Sequence, residues 1–330
     1  MPQVEVDVDE ALVRRLLRGL PPHWQPKIGG TRDAPVEHVA TGWDNSVWRV
    51  GTGQEYAARI PVRGVAAPMV LTAARWVAVM TAPARAAGFR LPVPLHVAES
   101  GGLLPWPWLL VEWVPGTVVT SVPIARRDAV GEGLAVALPL LHRPAPASAP
   151  VNPARGVPLA QRRVLIERFL PAAREHLGTE VVHALLGLLD VAVAAPAWPR
   201  NPVWCHGDLH AANLALDPAP DLAPDPDRGH GLERHHARLH HARLGLLDFD
   251  DLTSGDPAVD LGALWLVLDA DQRARARGTL EASAAYDEHV WTRARGWAVA
   301  AFVLPVAADP AGRHVFADEL DHALGQLGCR

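Results

Sequence analysis

The sequence predicts an α+β protein of two lobes, a small β-rich N-terminal lobe over residues 1–115 and a larger helical lobe over 116–330. Short runs typical of antiparallel strands, separated by turn signals, dominate the first part. After Pro115-Gly116 the pattern becomes helical, apart from a short β region between Val203 and Leu247. Strands and helices are segregated along the chain, which argues against an alternating βαβ fold.

The N-terminal lobe begins with a predicted helix over residues 8–20, whose apolar residues share one face before Pro21-Pro22 ends it. A longer helix is predicted over 68–87. The predicted strands are Val36–Ala40, Val47–Val50, Tyr56–Ile60, Val93–Ala98 and Trp108–Trp113. We therefore expect a mainly antiparallel sheet that carries one long helix.

The C-terminal lobe contains predicted helices over 124–142, 159–177 and 180–195, and more helices after Pro257. The Pro/Ala-rich segment 143–158 is expected to be a loop. The longest uncharged apolar run, Trp297 to Ala308, is too short to cross a bilayer and is expected to form a buried helix.

A histidine-rich stretch over residues 218–243 is predicted to be an inserted loop, long by the standards of ordinary connections. Its histidines are His230, His235, His236, His240 and His241, the last four within a tandem pentapeptide repeat. Such a cluster is able to bind Zn²⁺ or Ni²⁺, but no nearby cysteine defines a site. We favour a solvated, duplicated loop.

Charge and cysteine usage exclude several classes of protein. The formal net charge of -5 lacks the basic field of a nucleic-acid binder. The N-terminus has no apolar signal core. Cys205 and Cys329 are too few and too distant for a disulfide framework or a cysteine-rich zinc site. We expect a cytoplasmic protein without nucleic-acid or membrane partners, and no oligomeric state is predicted.

The strongest chemical signal is the segment His206-Gly207-Asp208-Leu209-His210-Ala211-Ala212-Asn213, which is flanked by apolar, strand-like residues. A loop held between two strands is a rigid place for a catalytic group. Asp208 and Asn213 are five residues apart, the spacing of the kinase catalytic loop. In that loop the aspartate receives the acceptor hydroxyl and the asparagine binds Mg²⁺.

Two further acidic motifs follow. Leu246-Leu247-Asp248 is an apolar strand that ends in a carboxylate, a ligand that Mg²⁺ prefers. Asp250 and Asp251 are expected to be solvated. In Gly255-Asp256-Pro257, the aspartate suits a helix N-cap, and Asp260 falls in the first turn of that helix.

Together these residues resemble the aminoglycoside phosphotransferase family of choline-kinase-like small-molecule kinases, which have a two-lobed, protein-kinase-like fold. The resemblance runs from about Thr41 to Leu264. It implies that Asp208 is the catalytic residue, that Asn213 and Asp248 hold Mg²⁺, and that His206 and Asp260 support the site. It also implies that ATP (or GTP) binds in a cleft between the lobes.

The resemblance also places the nucleotide. The turn after the first strand would cover the phosphates, the segment after the fifth strand would pair with the base, and Arg59 stands where many members have a phosphate-binding lysine. The residues expected to bind the nucleotide are Gly42, Asp44, Asn45, Ser46, Arg59, Glu112, Trp113 and Val114.

Two features depart from the kinase pattern. Arginine replaces lysine at position 59, and guanidinium binds phosphate in a different geometry from ammonium. The helix glutamate that pairs with this residue is missing, since no Asp or Glu occurs between Glu55 and Glu99. These departures favour an alternative, a catalytically weak, pseudokinase-like protein that binds nucleotide or ligand.

We predict an enzyme that phosphorylates a hydroxyl group of a small molecule. The acceptor is left open among aminoglycosides, macrolides, sugars, amino alcohols and other metabolites. An aminoglycoside is polycationic and would favour an acidic pocket, whereas a macrolide would need a large apolar one. Candidate acids in the helical lobe are Asp269, Asp271, Glu281, Asp287 and Glu288.

Overall fold

A computed structural model describes residues 4–29, 35–217, 244–283 and 285–330. The histidine-rich insert predicted over 218–243 lies outside the described residues. The chain forms two compact units. The first comprises Met1–Met80 and Leu91–Val114, and the second comprises Thr81–Arg90 and Pro115–Arg330.

Ten strands are described: β1 Val36–Thr41, β2 Asn45–Val50, β3 Tyr56–Pro61, β4 Pro94–Ala98, β5 Trp108–Glu112, β6 Thr117–Val118, β7 Val203–Cys205, β8 Leu214–Leu216, β9 Leu244–Leu246 and β10 Thr253–Gly255. The helices of the described residues are α1 Glu10–Arg18, α2 Ala67–Ala86, α3 Asp128–Leu141, α4 Leu159–Glu167, α5 Leu170–Leu177, α6 Thr179–Ala194, α7 Ala258–Leu261, α8 Ala263–Val267, α9 Ala270–Ala282, α10 Val290–Ala298, α11 Leu304–Ala308, α12 Pro310–Val315 and α13 Ala317–Leu327. The order of elements confirms the predicted α+β class.

The first unit contains a five-stranded antiparallel sheet in the order β1-β2-β3-β5-β4. Helix α1 is capped by Asp9, whose carboxylate accepts a hydrogen bond from the N–H of Leu12 at 2.7 Å. Its apolar face joins a core that includes Trp24, Ile60 and Trp108. The predicted antiparallel sheet is therefore confirmed, and burial of one face of α1 explains the helical spacing of its leucines.

Helix α2 follows the prediction over 68–87 closely. With the turn before it, Gly64–Ala86, it is long and apolar enough by composition to cross a membrane, and 33% of its 18-residue apolar stretch is buried. Buried core helices meet the same criteria, so this finding is weak evidence for a membrane span.

The second unit is helical and contains two small sheets, β6-β8-β9 and β10-β7. The single helix predicted over 159–177 is two helices, α4 and α5. Turns of the tighter, i→i+3 kind join them, from the N–H of Arg168 to Leu165 and from the N–H of Phe169 to Ile166. Pro171 explains the break, since proline fits the first turn of a new helix but not a helix interior.

The apolar run over 297–308 is buried as predicted, but it is not one regular helix. A π-helical segment, Val299–Val303, separates α10 from α11. Pro305 lacks the N–H that a continuous α-helix would need at that position. Such π segments often occur at functional sites, because they change the direction of side chains within a long helix.

Candidate active site

The predicted catalytic loop, His206–Asn213, lies between β7 and β8 of the second unit. β7 pairs with β10, and β8 lies between β6 and β9. Gly207 has a φ of 92°, and a Cβ at this position would collide with the carbonyl group of Asp251. The loop ends in one 3-10 turn, which the side chain of His210 caps. Strands therefore hold both ends of the loop, and its bend requires glycine.

The fully buried carboxylate of Asp260 binds the start of the loop. Its Oδ2 accepts a hydrogen bond from the N–H of His206 at 2.7 Å, and its Oδ1 accepts one from the N–H of Gly207 at 2.8 Å. The Nε2 of His142 lies 3.0 Å from Oδ2, and its Nδ1 lies 2.9 Å from the hydroxyl of Tyr286. These contacts support the bracing role predicted for Asp260.

His206 is also fully buried. Its Nε2 lies 2.7 Å from the carbonyl oxygen of Leu247, and its Nδ1 accepts a hydrogen bond from the N–H of Asp208 at 3.3 Å. The ring packs against Phe249, with centroids 4.5 Å apart. Since both ring nitrogens bond within the protein, the geometry supports a structural role for His206.

Asp208, the predicted catalytic residue, exposes 30% of its side chain. Its Oδ1 accepts a hydrogen bond from Arg155 Nη2 at 2.9 Å. On the other side, Asn213 Nδ2 lies 3.4 Å from Oδ2 and 2.8 Å from the backbone oxygen of the same aspartate. Desolvation alone would raise the pKa of this carboxyl, but Arg155, His210 and His206 hold the pKa well below its usual range. Asp208 is therefore ionised at neutral pH.

Arg155 is a site residue that the sequence did not reveal. It belongs to a segment over residues 150–156, here named the Arg155 strap, which bonds to the region of β10. The N–H of Ser254 donates to the carbonyl oxygen of Pro150 at 2.8 Å, and the N–H of Asp256 donates to that of Gly156 at 2.9 Å. The strap holds the guanidinium group against Asp208.

Asp251 anchors the same guanidinium group. It accepts a hydrogen bond from Arg155 Nε at 3.1 Å and one from Asn152 Nδ2 at 2.7 Å. The prediction that Asp251 is only a solvated acid was wrong. The partners are 96 and 99 residues away in sequence, so no local pattern signals the contact.

Asn213 and Asp248 offer the oxygen ligands that Mg²⁺ prefers. Leu214 pairs with Leu246 in the antiparallel β8–β9 ladder, so Asn213, just before β8, and Asp248, just after β9, lie beyond the same end of that ladder. The amide nitrogen of Asn213 faces Asp208, which leaves its oxygen for another partner. Asp248 is exposed and has a φ of 55°. These donor groups and their placement fit a magnesium ion.

A narrow pocket opens beside Asp208 within the second unit, with a cavity volume of about 10 Å³. Asp208 and His210 supply its polar side chains, and most of its wall is apolar. The apolar residues include Val259, Leu266, Trp297 and Phe302, the last from the π segment. Asp208 is the only acidic side chain among the described residues that line the pocket. The cavity is far smaller than ligand sites of roughly 300–1,000 Å³.

None of the five candidate acceptor-binding acids lines this pocket. Asp269 caps α9, Glu281 pairs with Arg277, and Asp287 pairs with Arg293 at 2.6 Å. Asp271 and Glu288 are exposed. Asp256 accepts a hydrogen bond from the N–H of Ala258, as expected of a cap, and also binds Arg293.

The nucleotide turn predicted over Gly42–Ser46 is shorter than expected, because Asn45 and Ser46 are the first residues of β2. Asp44 binds Arg63, and its carbonyl oxygen accepts a hydrogen bond from the N–H of Val62 at 2.9 Å. The turn proper is Gly42–Asp44.

The hydroxyl of Ser46 is buried within the hairpin. It lies 3.1 Å from the hydroxyl of Thr41 and accepts a hydrogen bond from Trp48 Nε1 at 2.9 Å. The bond to Thr41 connects β1 with β2, so the side chain stabilises the strands beside the turn.

Arg59 is buried on β3, where it lies opposite Val47 of β2 and Leu109 of β5. After β5, the N–H of Glu112 donates to the carbonyl oxygen of Val93 at 3.0 Å. The N–H of Trp113 donates to the backbone carbonyl oxygen of Glu55 at 2.8 Å. The guanidinium group of Arg49 stacks on the Trp113 ring. Val114, the next residue, is buried.

Ligand-type atoms of His142, Cys205 and Asp260 lie within 4.8 Å of one another. The hydrogen bonds of Asp260 explain its place in this cluster without a metal. Burial raises the pKa of the Cys205 thiol well above its ordinary value. Cys205 is therefore a buried, unreactive side chain, as the sequence indicated.

Comparison with known proteins identifies a family. Residues 35–227 and 234–297 match the model described as the phosphotransferase enzyme family, APH. No curated protein is significantly similar in sequence.

Solved structures share the fold. The GDP complex of wild-type aminoglycoside 2'-phosphotransferase-IIIa is 16% identical, with a TM-score of 0.59 over 89% of this chain and 91% of that one. The apoenzyme of macrolide 2'-phosphotransferase MphH from Brachybacterium faecium is 16% identical, with a TM-score of 0.54 over 89% and 93%. A thermostable mutant of aminoglycoside phosphotransferase APH(4)-Ia, in a ternary complex with AMP-PNP and hygromycin B, is 14% identical, with a TM-score of 0.58 over 96% of each chain.

Proposed function

The chain belongs to the phosphotransferase enzyme family, and on that premise we propose that it transfers the terminal phosphoryl group of ATP or GTP to a hydroxyl group of a small molecule. The observation that carries the proposal is the placement of Asp208. Its ionised carboxylate lies on a loop held by strands and by Asp260, and it borders a pocket.

Asp208 would bind and orient the acceptor. Its carboxylate accepts a hydrogen bond from the acceptor hydroxyl, whose oxygen then bonds to the terminal phosphorus while the bond to the diphosphate leaving group breaks. A carboxylate of lowered pKa is a weak base, so it takes the hydroxyl proton only as transfer proceeds. This suits a loose transition state, in which positioning and charge stabilisation provide most of the rate.

Asn213 and Asp248 would hold Mg²⁺ through their side-chain oxygens. When bound, the ion neutralises charge on the phosphate oxygens. Asn213 also donates to the backbone of Asp208, so the same residue orders the loop.

The first unit would bind the nucleotide. Arg59 would neutralise phosphate charge, the Gly42–Asp44 turn would cover the phosphates, and the N–H of Val114 would pair with the base. Three similar proteins have been solved with GDP, ATP or AMP-PNP, which supports nucleotide use in this fold. We propose a cytosolic enzyme, since both nucleotides are plentiful there.

The pocket favours a small acceptor that is not polycationic. Similar structures contain kanamycin, streptomycin or gentamicin. Here the pocket wall is apolar, and the five candidate acids lie elsewhere. We therefore propose a small hydroxylated metabolite.

One observation favours the alternative, a protein that binds nucleotide or ligand with little turnover. Arg155 binds Asp208 Oδ1 at 2.9 Å and competes there with an acceptor hydroxyl. In this case nucleotide would bind without consumption.

The test is nucleotide consumption by the full chain with a panel of hydroxylated compounds, with and without Mg²⁺, and with mass spectrometry of the products. We expect Mg²⁺-dependent gain of one phosphoryl group by an acceptor. Nucleotide-induced thermal stabilisation without a phosphorylated product across the panel would favour the alternative.

A further inference from the structure

Arg162 lies on the inner face of α4, together with Leu159 and Ile166. Its exposed fraction is 6%. Among the residues that the structure describes, its Nε has no hydrogen-bond partner and no carboxylate lies within ion-pair distance. A buried guanidinium without a partner is costly, so its retention calls for an explanation.

The charged groups that act on Arg162 belong to the site. They are Arg155, Asp251 and Asp208. Burial, with the nearby charge of Arg155, lowers the pKa of Arg162 to about 10. Arg155 already binds both carboxylates. Arg162 is therefore a second cation near them that forms no ion pair among the described residues.

Two other buried donors near the site also lack partners among the described residues. They are Arg155 Nη1 and the indole N–H of Trp297, which lines the pocket beside Asp208. Helix α4 packs against α10, which carries Trp297, and against the π segment. All three orphaned groups are donors, and two are cationic, so the matching ligand group is an anionic acceptor of hydrogen bonds.

We propose that Arg155 and Arg162 form an oxyanion-binding subsite that receives a carboxylate or phosphate group of the acceptor molecule. The assignment rests on the proposed function and narrows its substrate class to hydroxylated anions. Arg155 contacts Asp208 Oδ1, whereas Asn213, on the expected magnesium side, faces Oδ2. The subsite therefore lies on the Oδ1 side of Asp208, away from Asn213.

The first test measures thermal unfolding of the full chain with inorganic phosphate or sulfate, against chloride at equal ionic strength. The subsite predicts extra stabilisation by the oxyanions. Arg162→Met should abolish it, while the unliganded variant melts no lower than wild type, because an unpaired buried charge has been removed. Arg162→Lys should retain a weaker response and serves if the Met variant fails to fold.

The control variant is Arg163→Met, at the neighbouring exposed position that pairs with Asp190. It should keep the full oxyanion response. Stabilisation that is absent from the wild type, or equal in wild type and Arg162→Met, would overturn the subsite.

A second arm distinguishes the source of the anion. If saturating AMP-PNP leaves the oxyanion response intact, the acceptor assignment is supported; if AMP-PNP removes it, the subsite binds nucleotide phosphate and the assignment fails. Paired acceptors, glycerate against glycerol and glucuronate against glucose, extend the test. We expect kcat/KM to favour the anion by about tenfold or more in wild type and not in Arg162→Met.

The outcomes separate the two proposals. An Arg162-dependent oxyanion response without phosphoryl transfer would contradict the proposed function and leave the subsite standing. Phosphoryl transfer with no effect of Arg162→Met on acceptor preference would support the proposed function and contradict the subsite.

Discussion

Two buried arginines of the second unit have the same chemistry and opposite surroundings. Arg293 and Arg162 are 4% and 6% exposed. Arg293 donates to Asp256 and Asp287, each at 2.6 Å, and to the carbonyl oxygen of Pro196 at 2.7 Å. Among the described residues, Arg162 has no such partner at Nε. Burial would lower both pKa values, but the two aspartates raise that of Arg293 instead.

The difference separates a structural ion cluster from a binding group. Arg293 joins the loop before α7 to the segment before α10, and its charge is satisfied within the chain. Arg162 lies beside the active site, and among the described residues its Nε has no hydrogen-bond partner and no carboxylate forms an ion pair with it. A buried charge whose partners are all present needs no ligand, whereas one without partners in the chain calls for a partner such as water, an ion or a ligand.

The largest effect is expected from breaking the satisfied cluster. Arg293→Met should lower the free energy of unfolding by about 3–5 kcal/mol, because two carboxylates would remain without their partner. Urea denaturation measures this loss. Arg275→Met, which removes an exposed pair with Asp128, should change stability by no more than about 0.5 kcal/mol. Equal effects of the two variants would contradict the structural role assigned to Arg293.

A smaller effect is expected from Arg155, which contacts both Asp208 and Asp251. Arg155→Met should lower kcat by about 10- to 100-fold with little change in the KM for nucleotide, because the Asp208 carboxylate loses its fixed orientation. Arg155→Lys should recover part of kcat. Arg174→Met, at an exposed position of α5, is the control. A change in the KM for nucleotide with an unchanged kcat would argue against a positioning role for Arg155.

The smallest effect concerns acid stability. Desolvation would raise the pKa of Asp287, but Arg293 and local hydrogen bonds lower it below its ordinary value. The unfolded chain therefore binds more protons as pH falls below about 4, so stabilisation present at neutral pH is lost there. Chemical denaturation between pH 6 and 3, roughly the range that brackets aspartate titration, should show a steeper loss in wild type than in Arg293→Met. Parallel curves would contradict the ion-pair account.

The sequence predicted the acidic residues of the active site and the loop that carries Asp208 better than it predicted the two nearby arginines. The loop motif is contiguous, and Asp248 and Asp260 follow it at recognisable strand and helix ends. Arg155 lies in a segment without periodicity, and its partner Asp208 is 53 residues away. Arg162 lies on the buried face of the short helix α4. The sequence alone does not show whether a carboxylate or another hydrogen-bond acceptor lies next to it.

Local backbone chemistry explains the other differences. Pro171 divides the predicted helix over 159–177, and Pro305 follows the π segment that shapes the pocket wall. Asn45 and Ser46 match the turn motif, yet they belong to β2 because pairing with β3 begins at Asn45. The sequence indicated that these helices and strands exist, whereas proline positions and strand pairing determined where they begin and end.

The central claim is that Asp208 orients a hydroxyl group for phosphoryl transfer. Its most direct test compares wild type with Asp208→Asn for acceptor phosphorylation, followed by mass spectrometry at saturating nucleotide and Mg²⁺. The account predicts that the variant keeps its folded state and nucleotide affinity and loses about 100- to 10,000-fold in turnover. Asp271→Asn, at an exposed helix position, should leave turnover unchanged. Equal phosphorylation rates in wild type and Asp208→Asn would contradict the account.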